Sequence, residues 1–239
     1  MKTKFLHLFI IVAGLSAILL SSCKHCVHGS GNKTTETRKV TDFTKISISG
    51  EFKVHLKQDS SSTISINADD NLFKYIKTSV DGDKLKISTK KSICGSGELI
   101  VTIGVRNLNE VDASGAVQVM SDGKIVTKDI HFDLSGATKV TMDLNAANVT
   151  TEGSGVTKML LTGQATSHNL DLSGACKIEA FDFVVGNYNI ETSGASKCQI
   201  NVLTSLSVRT SGASKIEYRG NPGTVNNDKS GVSSLKKVD

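Results

Sequence analysis

Seven Ser-Gly dipeptides place glycines at 115, 136, 155, 174, 194, 212 and 231, at intervals of 21, 19, 19, 20, 18 and 19 residues. The surrounding text recurs with them: SGATKV, SGVTKM, SGACKI, SGASKC, SGASKI and a worn last copy, SGVSSL. Self-similarity at a fixed period of this length is the signature of a repeat architecture, and it restricts the fold before any single strand is assigned.

Reading each copy by its offset from the glycine gives the unit physical content. Offset +1 is Ala or Val, and offset +2 is small and mostly hydroxylic (Thr138, Thr157, Cys176, Ser196, Ser214). Offset +3 is Lys139, Lys158, Lys177, Lys197 and Lys215, and offset +4 is apolar (Val140, Met159, Ile178, Cys198, Ile216). Offset −3 is acidic in Asp133, Glu152, Asp171, Glu191 and Asp228, with Arg209 as the one break. Side chains that alternate with period two belong to strands, and helix spacing fails here. A unit of about 19 residues cannot bury its apolar side alone, but stacked copies can. The expected fold is all-β, a right-handed parallel β-helix-like solenoid with coils of about 19 residues. A meander of antiparallel hairpins at the same period is the alternative. Gly at the fixed position suits a corner with positive φ or no room for Cβ. The chain has 1 Pro, which agrees, because Pro deletes a ladder hydrogen bond.

Residues 39–113 are strand-like and less regular. Phe52, Val54 and Leu56 alternate with Lys53, His55 and Lys57, and Asp81-Gly82-Asp83 is a turn signal. Leu72, Phe73 and Ile76 could share one helical turn. Ser49 to Val54 is a degenerate copy of the repeat, with Lys at +3 and Val at +4. These features favour one continuous β body over residues 39–232, irregular up to 113 and repetitive from 114, followed by a frayed tail at 233–239.

Residues 1–22 carry Lys2 and Lys4 ahead of an apolar stretch from Phe5 to Leu20, the pattern of a secretory signal. Leu20-Ser21-Ser22-Cys23 has the form of a bacterial lipobox, so Cys23 is the expected lipidation site, and acyl chains there would hold the protein at a membrane without spanning it. Lys24 follows in place of the aspartate that retains some lipoproteins at the inner membrane, which favours the outer membrane on either face. Residues 24–38 are polar and aperiodic, and with Cys23 they are expected to form a flexible tether over 23–38. Cys26, Cys94, Cys176 and Cys198 could pair in an exported chain. Cys198 falls at an apolar repeat position and is expected as a buried free thiol.

Charge and composition exclude several function classes. Without Lys2 and Lys4 the chain has 26 basic against 23 acidic residues, too even a balance for nucleic acid. There is no Trp, and the few Phe and Tyr are thinly spread, so the aromatic platforms of a glycan-cleaving cleft are missing. No HExxH, nucleophile elbow or phosphate loop occurs. Five copies of one Ser cannot all be nucleophiles; the hydroxyls at +2 suit stacked ladders at a tight corner. Stacked coils would align the −3 acids and the +3 lysines in two columns. Binding of Ca²⁺ by Asp133, Glu152 and Asp171 is one reading. A solvated face whose two columns partly neutralise each other is the plainer one, with no metal or other cofactor. Arg209 then relieves repulsion among the acids.

The lipobox, the segment FTKISISGEFKVHLKQ, the stretch LKISTKK followed by LIVTIGV, and the iterated SGA-[ST]-K units resemble the head GIN domain family. That family is described as auto-transporter adhesins of Bacteroidetes-type envelopes. The resemblance covers about residues 39–218 and implies a β-helix-like solenoid without catalytic residues. The expected function is a lipid-anchored, non-catalytic adhesion or recognition module. Its binding face would be Lys139, Lys158, Lys177, Lys197 and Lys215 beside Asp133, Glu152, Asp171 and Glu191, offered to a surface glycan or protein. A structural or assembly role in the envelope, with self-association, is the alternative. A polysaccharide-degrading enzyme is the third.

Overall fold

The computed structural model describes residues 26–95 and 97–239. The leader and Cys23 lie outside the described residues. The first strands are β1 (Val27–His28), β2 (Lys33–Lys39), β3 (Lys45–Gln58) and β4 (Thr63–Asp69). A 3-10 turn at Asp70–Tyr75 leads to β5 (Ile76–Asp81), β6 (Lys84–Thr89), β7 (Ile93–Cys94) and β8 (Ile100–Val105). The repeats follow as β9 (Glu110–Leu134), β10 (Ala137–Gly174), β11 (Lys177–Thr192), β12 (Lys197–Thr210), β13 (Lys215–Arg219), β14 (Thr224–Lys229) and β15 (Ser234–Lys237). The fold is all-β, built on a long mixed sheet ordered β15-β13-β12-β11-β10-β9-β3-β8-β4-β2. No helix among the described residues is long and apolar enough to cross a membrane.

From β9 to β15 every ladder is parallel, and each segment pairs with the one that follows it by roughly one repeat. Val119 pairs with Val140, Met159 with Ile178, Ile178 with Cys198, Cys198 with Ile216, and Ile216 with Leu235. The antiparallel meander is therefore not the arrangement of the repeats. The apolar +4 positions form one internal column, with Val119, Val140, Met159, Ile178, Cys198 and Ile216 all buried. Cys198 is a free thiol in that column, and burial pushes its pKa up to about 12. Period-two alternation sends the intervening Lys and acids outward, which is why the burial pattern of β11 and β12 alternates almost residue by residue.

The degenerate copy in the N-terminal half stacks in register on the regular ones. Gly50 pairs with Gly115 and Val54 with Val119, although 65 residues separate each pair in sequence. The chain leaves the stack after β3, builds an irregular end piece and returns as β9. In that end piece β6 and β8 lie parallel to β3 on its other edge. Antiparallel pairs β2–β4, β4–β8 and β5–β6 complete it. Gly82 (φ +61) turns the β5–β6 hairpin, and Leu72 is buried from the 3-10 turn.

Two expectations need correction. Residues 24–38 are not a tether from Cys26 onward. Cys26 is disulfide-bonded to Cys94, β1 pairs with β7, and β2 pairs along its whole length with β4. The segment is polar because β2 is an outermost strand with five of its 7 residues exposed to water, and polarity alone does not separate such an edge from a linker. The end of the chain also holds more structure than a frayed tail. β15 pairs with β13, and Leu235 takes the +4 place over Ile216.

The disulfide joins residues 68 apart in sequence. Closing so long a loop in the unfolded chain should contribute about 2–4 kcal/mol. Cys94→Ser is expected to lower unfolding stability by that amount, and reductant should then have no further effect on the variant. Urea unfolding of both proteins with and without reductant checks this.

Candidate functional site

The repeat glycines form a column in which each backbone lies against the last. A Cβ built on Gly115, Gly136 or Gly155 would stand 2.5, 2.7 or 2.6 Å from the carbonyl oxygen of the preceding glycine of the column. Gly115, Gly136 and Gly155 also have φ of +94°, +77° and +74°. This corner is where the strand turns with each glycine's Cβ direction aimed at the backbone of the neighbouring copy. It fixes the direction of the next three residues in every copy.

At +1, Ala137, Val156, Ala175, Ala195 and Ala213 point outward and form a narrow wall of small side chains. At +2, Thr138, Thr157, Cys176, Ser196 and Ser214 are buried. Their polar atoms are satisfied largely inside the corner. The Thr138 and Thr157 hydroxyls meet at 3.2 Å, Ser214 meets Thr192 at 2.8 Å, and Thr157 donates to the Ser154 carbonyl at 3.1 Å. The hydroxyl ladder expected from the sequence thus forms only between Thr138 and Thr157; Cys176 interrupts it, and Ser196 Oγ is buried with no hydrogen-bond partner among the described residues.

The +3 lysines stand on the outside in strict register: Lys158 beside Lys177, Lys177 beside Lys197, and Lys197 beside Lys215. The Thr138–Thr157 contact carries the same register back to Lys139. Two carboxylates two positions further along the strands moderate this column, and both went unnoticed in the sequence. Glu179 takes Lys177 at 2.5 Å and Lys158 at 3.0 Å, and Glu217 takes Lys215 at 2.5 Å. Hydrogen bonds from Lys177 and then Lys158 hold the Glu179 carboxyl below its ordinary pKa, and Lys215 with Gln199 does the same for Glu217. Lys139 and Lys197 make no ion pair among the described residues.

The −3 acids form a separate column. Asp133 lies beside Glu152, Asp171 beside Glu191, and Arg209 between Glu191 and Asp228. No −3 acid pairs with a +3 lysine among the described residues, so the mutual neutralisation of the two columns expected from the sequence does not occur. The corner lies between them. Arg209 instead bonds Glu191 at 2.6 Å and approaches Asp228 at 4.0 Å, which relieves repulsion within the acid column. Among the described residues no three His, Cys, Asp or Glu side chains gather as a metal site, so Asp133, Glu152 and Asp171 do not form a Ca²⁺ cage.

Two depressions of the surface lie along the +1 and +3 offsets. One, of about 530 Å³, is a shallow groove between the alanine wall (Ala175, Ala195, Ala213) and the lysines Lys177, Lys197 and Lys215. The other, of about 620 Å³, lies at the same offsets near β3, between Gly50–Lys53, Gln118 and the loop residues Ser92, Gly95 and Leu99. That loop is fastened by the Cys26–Cys94 disulfide. The sequence carried no sign of the second hollow, because the loop that walls it reaches β3 only through long-range pairing of β8.

The histidines divide between surface and core. His55 lies half-buried at the surface, 2.9 Å from Asp122, and His131 approaches Glu152 at 3.9 Å. His168 is fully buried. Its Nε2 meets the Thr151 hydroxyl at 3.0 Å, and its ring packs against Phe183 and Tyr188. Burial lowers its pKa to about 3, so the ring is neutral and plays no part at the surface.

The model of the family described as "Putative auto-transporter adhesin, head GIN domain" matches residues 42–222. Similar solved structures come from Bacteroidetes. A putative adhesin from Bacteroides fragilis is 22% identical with a TM-score of 0.85, over 89% of this chain and 100% of that one. A putative lipid binding protein from Parabacteroides distasonis is 18% identical with a TM-score of 0.71, over 90% and 100%. A putative adhesin from Parabacteroides merdae is 19% identical with a TM-score of 0.64, over 90% and 100%. These likenesses establish a shared fold. No curated protein sequence matches the chain.

Proposed function

The chain belongs to the head GIN domain family of auto-transporter adhesins, and from that premise we propose that it is a lipid-anchored, non-catalytic adhesion or recognition module of the outer membrane. The observation that carries the reading is the column of lysines held at one register along parallel strands, an exposed surface with a fixed repeat. In this reading the stack is a right-handed solenoid of about 19 residues per coil, and its repeated face meets a partner that repeats as well. The adhesin names of the family and of its structural neighbours support the same reading.

Lipid on Cys23 would leave only residues 24 and 25 between the anchor and the disulfide-fixed Cys26. Three extended residues reach about 10 Å. The β1–β7 end would therefore lie close to the membrane, and the module could not sample distant partners on a long leash. The expected outcome is saturable binding of the purified protein to cell-surface or host-matrix material. Charge reversal at Lys139, Lys158, Lys177 and Lys197 should weaken it at least tenfold. Unchanged binding by that variant would remove the lysine face from the mechanism.

The open end of the stack favours a second reading, self-assembly within the envelope. Among the described residues β14 is exposed throughout and pairs only with β12, while Val225 and Val232 are 41% and 87% exposed. An unpaired end can add strands. Sedimentation over a range of concentrations separates the two readings, since the first predicts a monomer throughout.

A further inference from the structure

We infer that the open end of the β5–β6 hairpin, with Tyr75 and the lysines Lys74, Lys77, Lys90 and Lys91, is a docking surface for the anionic headgroups of the membrane that holds the acyl chains. The inference rests on lipidation of Cys23 and adds a second contact that orients the body on the bilayer.

The two ends of this one hairpin differ in how their lysines are satisfied. At the turn end, Lys84 meets Glu110 at 2.5 Å, Lys86 meets Asp81 at 2.7 Å, and Asp83 takes Lys45 at 3.2 Å. At the open end, Lys74, Lys77, Lys90 and Lys91 are exposed and make no ion pair among the described residues. Neighbouring carboxylates are turned elsewhere. Asp69 accepts from the Gly31 N–H at 3.1 Å, Asp70 from the Ser30 hydroxyl at 2.5 Å, and Glu36 from Arg38 at 2.6 Å.

These lysines converge on one side chain. The ammonium groups of Lys74 and Lys91 lie 5.2 and 5.5 Å from the centre of the Tyr75 ring, and the Lys90 N–H donates to the Tyr75 carbonyl at 2.8 Å. Tyr75 is itself partly buried against the core, so the ring is a fixed platform for the two cations. Like charges gathered without an acid between them repel, and an external anion relieves that repulsion. A tyrosine flanked by long ammonium side chains is also the composition that suits a membrane–water interface.

Placement beside the anchor selects the partner. The Val27 N–H donates to the Ser92 carbonyl at 2.9 Å, Val27–His28 pairs with Ile93–Cys94, and Cys26 is bonded to Cys94. Ser92 directly follows Lys91, so the patch adjoins the point where the chain departs for Cys23, three residues before Cys26. An anchored body meets headgroups at a high effective concentration, which makes a weak patch sufficient. Each lysine close to an anionic bilayer favours docking by about fivefold, and three together by about a hundredfold. β6 and β9 lie on opposite edges of β3, so docking through this hairpin leaves the repeats on the side away from the bilayer.

The experiment places the full acylated chain, as cells export it, in two kinds of vesicle. One is phosphatidylcholine with about one-third phosphatidylglycerol, and the other is phosphatidylcholine alone. A water-soluble amine reagent at trace level labels the lysines, and mass spectrometry reads each site. Lys74, Lys90 and Lys91 are expected to label at least about fivefold more slowly in the anionic vesicles, a difference that about 0.5 M salt removes. Lys139 and Lys197, on the repeats, should label within about twofold in both. The Lys90→Glu, Lys91→Glu double variant should lose the difference at Lys74 while its urea unfolding is unchanged. Equal labelling of Lys74, Lys90 and Lys91 in the two vesicles would overturn the inference, as would equal protection of Lys139 and Lys197. The mass of the N-terminal peptide from the same sample separates the premises. An acylated but unprotected chain sinks this inference and leaves the anchor standing, whereas a chain without acyl groups sinks both.

Discussion

Gly155→Ala is expected to destabilise the protein by about 2–5 kcal/mol, while Gly123→Ala costs about 1–2 kcal/mol. Both glycines have positive φ, +74° and +99°. A Cβ at Gly123 meets nothing within 4 Å, so only the left-handed backbone is penalised there. At Gly155 the added methyl would also stand 2.6 Å from the Gly136 carbonyl oxygen and 3.0 Å from its nitrogen, in a backbone that cannot swing aside. Gly194 completes the comparison. Its φ lies outside the positive range, yet its Cβ would press on the Gly174 carbonyl more closely still. Gly194→Ala should thus carry the contact cost alone, about 1–3 kcal/mol. Urea unfolding of the three variants measures all of these. Equal losses at Gly155 and Gly123 would mean that the coils are not packed glycine on glycine, and the corner would lose its physical basis.

Acidification from pH 6.5 to pH 3 should cost the folded state about 4–5 kcal/mol through His168 alone. Its pKa is about 3 in the fold, against about 6.5 for an exposed imidazole, and burial is the whole cause. A depressed folded pKa places the full contribution above pH 6.5. It is lost as pH falls toward 3, because the unfolded chain takes up the proton first. The carboxylates held low by their partners, Asp59, Asp81, Asp83, Glu179 and Glu217, lose their contributions only below about pH 4.5. Between pH 6.5 and 5 the expected loss of about 2 kcal/mol belongs to His168. His168→Leu should be less stable at pH 7, since it leaves the buried Thr151 hydroxyl without its partner, and it should be flat across that interval. An equally steep variant would show that the acid sensitivity arises elsewhere.

The contrast between the glycines and His168 shows what kind of information the sequence carries. The corner was legible because it recurs: one glycine with two physical reasons, repeated in six ladders, exposes its offset by alignment with itself. The lysine column, the buried +4 column and the role of Arg209 followed from the same alignment. His168 was legible in principle. Its offset of −6 is filled by Ile130, Val149, Tyr188 and Leu206 in the neighbouring copies, an inward column that the exposed Asn109 and Val225 leave at the two ends. A polar residue in the middle of such a column is a buried one. Glu179 and Glu217 were missed because the +5 offset varies, with Thr141, Leu160 and Gln199 in other copies, so no repeat announces them. The hollow beside β3 and the Cys26–Cys94 bond were beyond reach for another reason. They depend on pairings across 47 to 68 residues in the part of the chain where the repeat is irregular. Polar β2 looked like a linker because an edge strand exposed to water has a linker's composition.

Protease shaving of intact cells that express the full-length chain, beside a lysed control, tests the adhesion reading most directly. Display on the outside predicts that the protein is cut on intact cells, at a rate little changed by lysis. Cutting only after lysis would contradict it and leave assembly inside the envelope as the reading that the open end of the stack supports.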